Sequence, residues 1–486
     1  MTDNLFLINT KTVTEITDND VKTTQNVHQE KICVNVRNLR LNKELIIFLL
    51  CVWVVSCGPA GSYDEQLQAV IESQQLEPLA PIPAQSEALV TLGKNLYFDN
   101  ILSGNKDVSC ATCHLPQVGT GDGLPLSIGT GGVNGLGPER ELGNGRSLVP
   151  RNAPDLFNRG AAEWRTMFWD GRVAISPRGY YKTPENDDLP EGLSSLLATQ
   201  AMFPVTSADE MRGSPGDVTV TGELNELAVI PEEETQAVWA ALMVRLLQIP
   251  EYQRLFAAAY PDVAPEALGF QHAANAIGAF EAEAFACTDN AWHQYLNGDL
   301  TAISEEGKKG ALLFYGKAGC ATCHSGPLFT DQGFHNIAAP QFGPGKEEET
   351  WLDNGRFLET NRPEDKFAFR TPTLLNVTAT GPWLHNGAYA DLASVIEHHQ
   401  NPESALKNYD PAIHLPAYLH DTVQNDKHVF AALLANVDAQ VEPSWRLTPP
   451  EIDYLIAFLE TLTDPTVYEM EEMIPTAVPS GLPVLN

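Results

Sequence analysis

The sequence predicts a mostly α-helical protein of two domains with long irregular loops. Apolar residues recur at three- and four-residue spacing through much of 193–297, which is the period of an amphipathic helix. No succession of strictly alternating polar and apolar runs indicates a large sheet. The pentapeptide Cys110-Ala-Thr-Cys-His114 returns letter for letter as Cys320-Ala-Thr-Cys-His324, once in each half of the 486-residue chain. We therefore expect one domain around each copy.

The repeated pentapeptide is the pattern of c-type haem attachment, in which two cysteines bind haem vinyl groups and the histidine ligates the iron. A structural zinc site would hold its two cysteine pairs within about 12–20 residues of each other, and a thioredoxin-type pair needs no histidine. We predict two cytochrome c-like domains with two covalently bound c-type haems. The attachment residues would be Cys110, Cys113 and His114 in the first domain and Cys320, Cys323 and His324 in the second.

Capping residues help to place the helices. Ser304 precedes one of them, and Thr448 with Glu451 three residues later predicts the start of another. Helices are expected over 86–98, 234–248, 271–286 and 308–315 and from 449 onward. The stretch 115–160 is rich in Gly, Pro and Asn and is expected to be irregular. The predicted organisation is a signal over 1–57, a tether over 58–85, the first haem domain over 86–300, the second over 301–466 and a tail over 467–486.

The N-terminus resembles an export signal. The apolar run 45–55 follows several basic residues and is too short for a confident membrane-spanning helix, so a signal peptide is favoured over a single anchor helix. It ends in Val-Val-Ser-Cys57-Gly, which resembles a lipoprotein box with Cys57 as the lipidated residue. The polar stretch 1–36 is longer than a usual signal and is compatible with a misassigned start. We expect a periplasmic lipoprotein anchored to the membrane.

The charge balance excludes some partners. Acidic residues outnumber basic ones by 63 to 30, which gives a net charge of −33. This charge argues against binding to nucleic acid or to an anionic membrane surface, and it would attract a cationic partner.

Beyond the haem motifs, the chain resembles the bacterial di-haem cytochrome c peroxidase and MauG family from about residue 86 to 465. The resemblance is carried by a series of short motifs in the family's order. They are Asp122-Gly123, Ser127-Ile-Gly129, Arg151-Asn-Ala-Pro154, Phe168-Trp-Asp-Gly-Arg172, Gln200-Ala-Met-Phe-Pro204, Glu210-Met211, Phe369-Arg-Thr-Pro372 and Gly381-Pro-Trp-Leu-His-Asn-Gly387.

The resemblance implies that peroxide reacts at the first haem and that the second relays or stores oxidising equivalents. Glu210 matches the glutamate that moves a proton during O–O cleavage, although an exposed loop glutamate is the commoner case. Gln200 and Pro204 match residues of the peroxide pocket, with turn formation as their alternative role. Trp169 matches a tryptophan between the haems, and its alternative is an ordinary core residue.

Two departures from the family pattern affect the haem ligands. Many members carry a histidine after the Ser-Ile-Gly triplet that blocks the first haem, whereas this chain has Thr130, so we expect an open, five-coordinate first haem. At the sixth-ligand position of the second haem, where relatives have methionine or tyrosine, this chain has His399. It shares a predicted helix face with Leu392 and Val395, and His398 points about 100° away. A hydrogen-bonded core histidine is the alternative. A histidine in place of methionine should lower this haem's potential.

The resemblance also implies a calcium ion between the domains, bound by Asn152, Thr380 and Pro382 through oxygen atoms.

The first functional hypothesis is a peroxidase that reduces hydrogen peroxide with electrons from a small cytochrome c or cupredoxin. The second is MauG-like oxidation of a side chain on a protein substrate, and the third is a non-catalytic electron carrier. The oligomeric state is left open, with a homodimer as one alternative.

Overall fold

Helices dominate the computed structural model, which describes residues 61–185, 188–347, 351–441 and 446–485, so the predicted mostly α-helical fold is confirmed. The α-helices are α1 (Tyr63–Gln74), α2 (Glu87–Phe98), α3 (Cys110–Cys113), α4 (Leu196–Ala201), α5 (Thr235–Leu247), α6 (Pro250–Ala259), α7 (Phe270–Ala284), α8 (Ala291–Leu296), α9 (Glu305–Phe314), α10 (Phe357–Thr360), α11 (Leu392–Gln400), α12 (Pro402–Lys407), α13 (Pro411–His414), α14 (Lys427–Leu434) and α15 (Pro449–Glu460). The predicted signal over 1–57, with its apolar run 45–55 and Cys57, lies outside the described residues. Within the described ranges, no helix has the length and apolar character needed to cross a membrane.

Two small antiparallel sheets accompany the helices. The first joins β1 (Thr166–Met167), β2 (Val173–Ile175) and β3 (Tyr181–Lys182), and the second joins β4 (Phe334–His335) and β5 (Phe369–Arg370). Strands of two or three residues are too short to show an alternating pattern, which is why the sequence did not reveal them. The turn between β1 and β2 contains Trp169. The backbone carbonyl of Trp169 accepts a hydrogen bond from the backbone N–H of Arg370 at 2.8 Å.

The two halves repeat one helix crossing. Helix α2 packs against α7 in the first half, and α9 packs against α15 in the second. A methyl group on Gly93 would lie 1.9 Å from the carbonyl oxygen of Ala276, and one on Gly310 would lie 1.8 Å from that of Tyr454. Only glycine allows backbones to approach so closely at these crossings. In each half the first helix of the pair leads into the Cys-Ala-Thr-Cys-His motif.

Both ends of the described chain pack onto the rest of the protein. Within the predicted tether, Leu67 of α1 is fully buried and Asp64 forms an ion pair with Lys308 of α9 at 2.7 Å. In the predicted tail, Val467 and Met470 are buried in an aromatic cluster with residues of the first half, among them Phe285. These segments therefore belong to the folded body, and the tail joins the last part of the chain to the first haem domain.

Candidate active site

The two pentapeptides adopt closely related local structures. The first forms the single turn α3, and the second forms a 3₁₀ turn over Cys320–Thr322. In both, the histidine N–H donates to the carbonyl of the first cysteine at 2.9 Å, from His114 to Cys110 and from His324 to Cys320. This turn brings both sulfur atoms and the imidazole to the wall of one cavity in each half.

The cavity of the first half has a volume of about 580 Å³. We call it the first cavity. All the side chains that the sequence assigns to the first haem and to peroxide line its wall. They are Cys110, Cys113, His114, Trp169, Gln200, Pro204 and Glu210. Segments almost a hundred residues apart in sequence therefore meet around one space.

Hydrogen bonds orient both proximal histidines for metal binding. Nδ1 of His114 lies 3.0 Å from the carbonyl oxygen of Thr120, and Nδ1 of His324 lies 3.2 Å from that of Phe329. A carbonyl oxygen can only accept, so Nδ1 carries the proton and Nε2 is left as the ligand atom. Burial lowers the pKa of both imidazoles, that of His324 to about 4. Both histidines are therefore neutral, as an iron ligand must be.

Glu210 lies on an irregular turn at the edge of the first cavity. The turn Ala208–Arg212 is π-helical, a local distortion that is frequent at functional sites. Met211 lines the cavity beside it, whereas Met202 and Phe203 are buried in the hydrophobic core. Glu210 is half-buried, so its carboxyl group reaches the cavity and keeps some contact with solvent.

Trp169 is fixed in the wall between the two cavities. Its side chain is 9 % exposed, and it lines both spaces. Its indole Nε1–H donates to the carbonyl of Asn152 at 2.9 Å. With the backbone bond to Arg370, this contact holds the indole in one orientation between the two haem motifs.

The cavity of the second half, the second cavity, is smaller, at about 230 Å³, and largely apolar. His324 and His399 both line it, as do Leu392, Val395 and Ile396. Nδ1 of His399 lies 2.8 Å from the carbonyl oxygen of Val395, which again leaves Nε2 free. The helix face inferred from the sequence is thus the face that lines the cavity.

His398 occupies a different environment. It is fully buried, it is absent from the cavity wall, and both of its ring nitrogens are engaged. Nδ1 lies 2.8 Å from the hydroxyl of Tyr389, and Nε2 lies 2.6 Å from the carbonyl oxygen of Ile337. A histidine bonded at both nitrogens has no atom left for a metal.

Comparisons with known proteins agree with this architecture. Residues 87–301 match the family model described as di-haem cytochrome c peroxidase. The chain is 31 % identical over 311 residues to the methylamine utilization protein MauG of Methylorubrum extorquens, covering 64 % of this chain and 68 % of that protein. It is 30 % identical over 354 residues to the cytochrome c551 peroxidase of Pseudomonas aeruginosa, covering 72 % and 82 %. This chain belongs to the di-haem cytochrome c peroxidase and MauG family.

Solved structures support the same assignment. A MauG-like protein associated with microbial copper homeostasis matches with a TM-score of 0.53 and 27 % identity, covering 81 % of this chain and 94 % of that one. The di-haem peroxidase BthA of Burkholderia thailandensis, at 21 % identity and a TM-score of 0.52, shares the fold. As a member of this family, the chain is a peroxidase-type oxidoreductase with two c-type haems. The paired cysteines and the free histidine Nε2 atoms fit those haems.

Other residues of this di-haem peroxidase bear on ligand and metal binding. Thr130, at the position of the blocking histidine, is 4 % exposed, and its hydroxyl donates to the carbonyl of Ala208 at 3.1 Å. For the calcium set, the backbone N–H of Asn152 donates to the carbonyl of His385 at 2.9 Å. This bond places Asn152 beside the loop 380–387, which carries Thr380 and Pro382. The side-chain amide nitrogen of Asn152 donates to the carbonyl of Leu124 at 2.8 Å.

Sequence reasoning missed several charged groups of the first cavity, because their positions in its wall follow from tertiary contacts and no local motif marks them. Glu281 is 4 % exposed, one of its carboxyl oxygens has no hydrogen-bond partner, and burial raises its pKa to about 8. Lys346, in the second half, lines the cavity. Desolvation by the surrounding protein and the positive charges of Arg172 and Arg151 lower its pKa to about 8. Burial and the nearby Glu232 raise the pKa of Asp209, which lies next to Glu210.

His385 was also missed. It lines the second cavity, is 4 % exposed and has no hydrogen-bond partner for Nε2. Its ring stacks on Phe369 with 3.4 Å between centroids. Burial lowers its pKa to about 3, so it is neutral. His385 is therefore an alternative to His399 as a ligand of the second haem. Only the structure shows this, because it places His385 in the wall of the cavity.

A buried ion network joins the two halves beside the first cavity. The guanidinium of Arg151 binds Asp353 through two hydrogen bonds of 2.6 and 2.9 Å, and it also binds Asp170. All three side chains are at most 6 % exposed. Burial alone would raise the pKa values of both carboxyl groups, but the arginines lower them below their usual range.

Replacing Arg151 by methionine is expected to lower the free energy of unfolding by about 3–5 kcal/mol, because it leaves buried carboxylates without their main partner. Arg254→Met is the matched control, since it removes an arginine from the exposed pair with Glu251 and should have little effect on stability. Chemical denaturation of the haem-loaded protein measures both changes. Equal effects in the two variants would show that the network contributes little to stability.

Proposed function

We propose that this chain is an exported peroxidase that reduces hydrogen peroxide to water with electrons from a small cytochrome c or a cupredoxin. The observation that carries the proposal is the composition of the first cavity. Its wall combines the haem-attachment residues of the first motif with Glu210, Gln200 and Pro204. A protein that only carried electrons would not need a proton-carrying carboxyl group in the wall of this cavity.

Glu210 is the acid–base group of this proposal. The first haem would supply the iron that binds and reduces peroxide. The carboxylate of Glu210 takes a proton from one oxygen of peroxide and delivers it to the other, so that this second oxygen can leave as water. Gln200 orients the bound peroxide through its side-chain amide, and Pro204 shapes the wall beside it. The half-buried position of Glu210 allows its proton to be replaced from solvent.

Electrons reach the first cavity through the second in this proposal. His324 and His399 would hold the second haem through their free Nε2 atoms, and Trp169, which lines both cavities, is the relay in this proposal. A bis-histidine haem has a lower potential than one with a methionine ligand. A second haem with these two ligands would therefore supply an easily oxidised electron donor.

MauG-like oxidation of a side chain on a protein substrate is the second candidate. It is supported by the described wall of the second cavity, which contains no methionine, and by the 31 % identity to the MauG of Methylorubrum extorquens. Both candidates share the peroxide chemistry and differ in the source of the electrons. A protein that only carries electrons is disfavoured, because a group that can carry a proton, Glu210, lines the same cavity as His114.

The test is peroxide consumption by the full-length holoprotein with a reduced small cytochrome c. Haem staining of a denaturing gel and the intact mass must first show two covalent haems. We then expect peroxide-dependent oxidation of the cytochrome. Peroxide consumption only with an added protein substrate, with a mass change on that protein, would favour the MauG-like reaction. Two haems without any peroxide consumption would identify a carrier and overturn the proposal.

The oxidised enzyme is expected to react with peroxide without prior reduction. Thr130 offers no ligand atom comparable to a histidine nitrogen, and its hydroxyl is already bonded to Ala208. The resting electron paramagnetic resonance spectrum should show one high-spin haem, and cyanide should bind at once. A Thr130→His variant should convert that signal to low spin and slow cyanide binding. A wild-type spectrum with two low-spin haems would contradict this prediction.

The remaining proposals concern location and calcium. We place the mature protein in the periplasm, attached to the membrane through lipidated Cys57.

We also assign a calcium site to Asn152 with Thr380 and Pro382, where the ligands would be one side-chain oxygen and two backbone carbonyls. Loss of activity on chelation, restored by added calcium, would support that site.

A further inference from the structure

A hydrogen-bonded tyrosine–histidine pair lies next to the proposed sixth ligand of the second haem. Tyr389 is 4 % exposed and His398 is fully buried. The Tyr389 hydroxyl and Nδ1 of His398 are 2.8 Å apart. Neither residue lines a haem cavity, and neither has a part in the proposed function. The pair is therefore built into the interior without a role in binding haem or peroxide.

The direction of this hydrogen bond is fixed by the other nitrogen of the imidazole. Nε2 of His398 lies 2.6 Å from the carbonyl oxygen of Ile337, and a carbonyl can only accept. Nε2 therefore carries the proton of the neutral ring, and Nδ1 is the acceptor. The phenol of Tyr389 must donate to Nδ1. A phenol bonded in this sense to a base can lose an electron while its proton crosses the hydrogen bond.

A series of ring contacts connects this pair to the haem ligand and to the surface. The ring centroids of His399 and His398 are 6.3 Å apart, those of His398 and Tyr389 are 5.4 Å apart, and those of Tyr389 and Tyr409 are 5.6 Å apart. These are ordinary contact distances for aromatic rings. Tyr409 is partly exposed, and its hydroxyl donates to the carbonyl of Ala388 at 2.6 Å. From His398 outward, the ring contacts therefore pass through two oxidisable side chains, first Tyr389 and then Tyr409.

We propose that Tyr389 is a redox relay that carries an oxidising equivalent from the second haem toward Tyr409 at the surface. The inference rests on the proposed function, because peroxide is the oxidant and His399 is the ligand through which the second haem contacts the pair. It deepens that function by giving the oxidising equivalent an exit that is separate from the peroxide cavity. A reductant with an oxidisable aromatic group, in solution or on a protein, would be oxidised near Tyr409.

The electrons and protons of the relay balance. Reduction of one hydrogen peroxide to two waters takes two electrons and two protons. The two electrons pass along the relay one after the other, and in each passage Tyr389 supplies one electron by way of the second haem. The phenolic proton moves along the hydrogen bond to Nδ1 of His398, which leaves a neutral tyrosyl radical beside an imidazolium ion. An electron from Tyr409 then restores Tyr389 and the proton returns from His398, while Tyr409 releases its own phenolic proton to solvent. The external reductant gives one electron back to Tyr409, which takes up one proton from solvent. Two such passages supply the two electrons, and the two protons that peroxide consumes come from solvent.

The experiment mixes holoprotein with one equivalent of hydrogen peroxide in the absence of a donor, followed by freeze-quenching and electron paramagnetic resonance. We expect an organic radical whose signal narrows when the protein contains ring-deuterated tyrosine. Tyr389→Phe keeps the ring but removes the phenol, and it should abolish that signal. Tyr252→Phe is the matched control, since Tyr252 is fully buried and its hydroxyl donates to Asp99 at 2.8 Å, but it lines neither cavity. It should leave the signal unchanged.

Tyr409→Phe provides a second measurement that does not alter the buried pair. It should retain the radical on Tyr389 and lengthen its lifetime several-fold, because the outward step is lost. An undiminished signal in Tyr389→Phe, a tryptophan radical in its place, or an unchanged lifetime in Tyr409→Phe would overturn the relay. If wild-type holoprotein consumes peroxide with reduced cytochrome but forms no tyrosyl radical, the relay fails and the proposed function stands. If it consumes no peroxide at all, both fail.

Discussion

Replacing Glu210 by glutamine is expected to slow O–O cleavage about 10²–10⁴-fold while leaving peroxide binding intact. Glutamine has the shape of the glutamate and the same place on the π-helical turn, but it cannot take up the proton of peroxide. Stopped-flow spectra should therefore show that peroxide still binds, followed by slow decay of the bound state. Steady-state turnover with a reduced cytochrome should fall by the same factor, because a slow chemical step limits both measurements.

Asp209 offers the matched control for this variant. It is the neighbouring carboxyl group, and it lines the same cavity. Asp209→Asn removes one negative charge without removing the proposed proton carrier, so its effect on cleavage should be far smaller than that of Glu210→Gln. Similar losses in both variants would mean that the charge of the turn matters and the position of Glu210 does not. Unchanged turnover in Glu210→Gln would remove this residue from the mechanism.

The parts of the site that could be predicted are those in which a short segment carries its own chemistry. Cys110 and Cys320 begin motifs whose spacing alone implies covalent haem. The face of α11 that contains Val395 and His399 follows from helix periodicity, and the structure places that face in the second cavity. In each case the decisive contacts lie within one or two turns of the chain, where sequence spacing and spatial proximity agree.

The parts that could not be predicted depend on contacts between distant segments. Glu281 and Lys346 look like ordinary surface residues in the sequence, because charged side chains are seldom buried without a partner. Their positions in the first cavity follow from how α7 and the loop around residue 346 pack. The same holds for Leu67 and Val467. Each lies in a segment that was expected to be a tether or a tail, and each is buried because an apolar side chain there finds a surface in the other half.

The ligand of the second haem is also decided by tertiary contacts, because three histidines besides His324 lie on its cavity wall. His335 is engaged at both ring nitrogens, which lie 2.6 Å from a carboxylate oxygen of Asp438 and 3.0 Å from one of Asp331. His399 is directed by its hydrogen bond to Val395, which leaves Nε2 as a ligand atom. His385 is directed by its stacking on Phe369, and its Nε2 has no hydrogen-bond partner. His399 is favoured because metal-bound histidines almost always donate the other ring N–H to a carbonyl, carboxylate or water.

Replacing His399 by alanine is therefore expected to convert the second haem from low spin to high spin. Replacing it by methionine should keep the haem low-spin and raise its reduction potential, since methionine ligation raises the potential of c-type haems. Electron paramagnetic resonance and redox titration of the holoproteins measure both effects. His385→Ala and His398→Ala are the controls, and each should retain the low-spin signal. Loss of that signal in His385→Ala would identify His385, and not His399, as the ligand. Loss in His398→Ala alone would shift the ligand by one residue along α11 and would also break the tyrosine relay, whose acceptor nitrogen would then belong to iron.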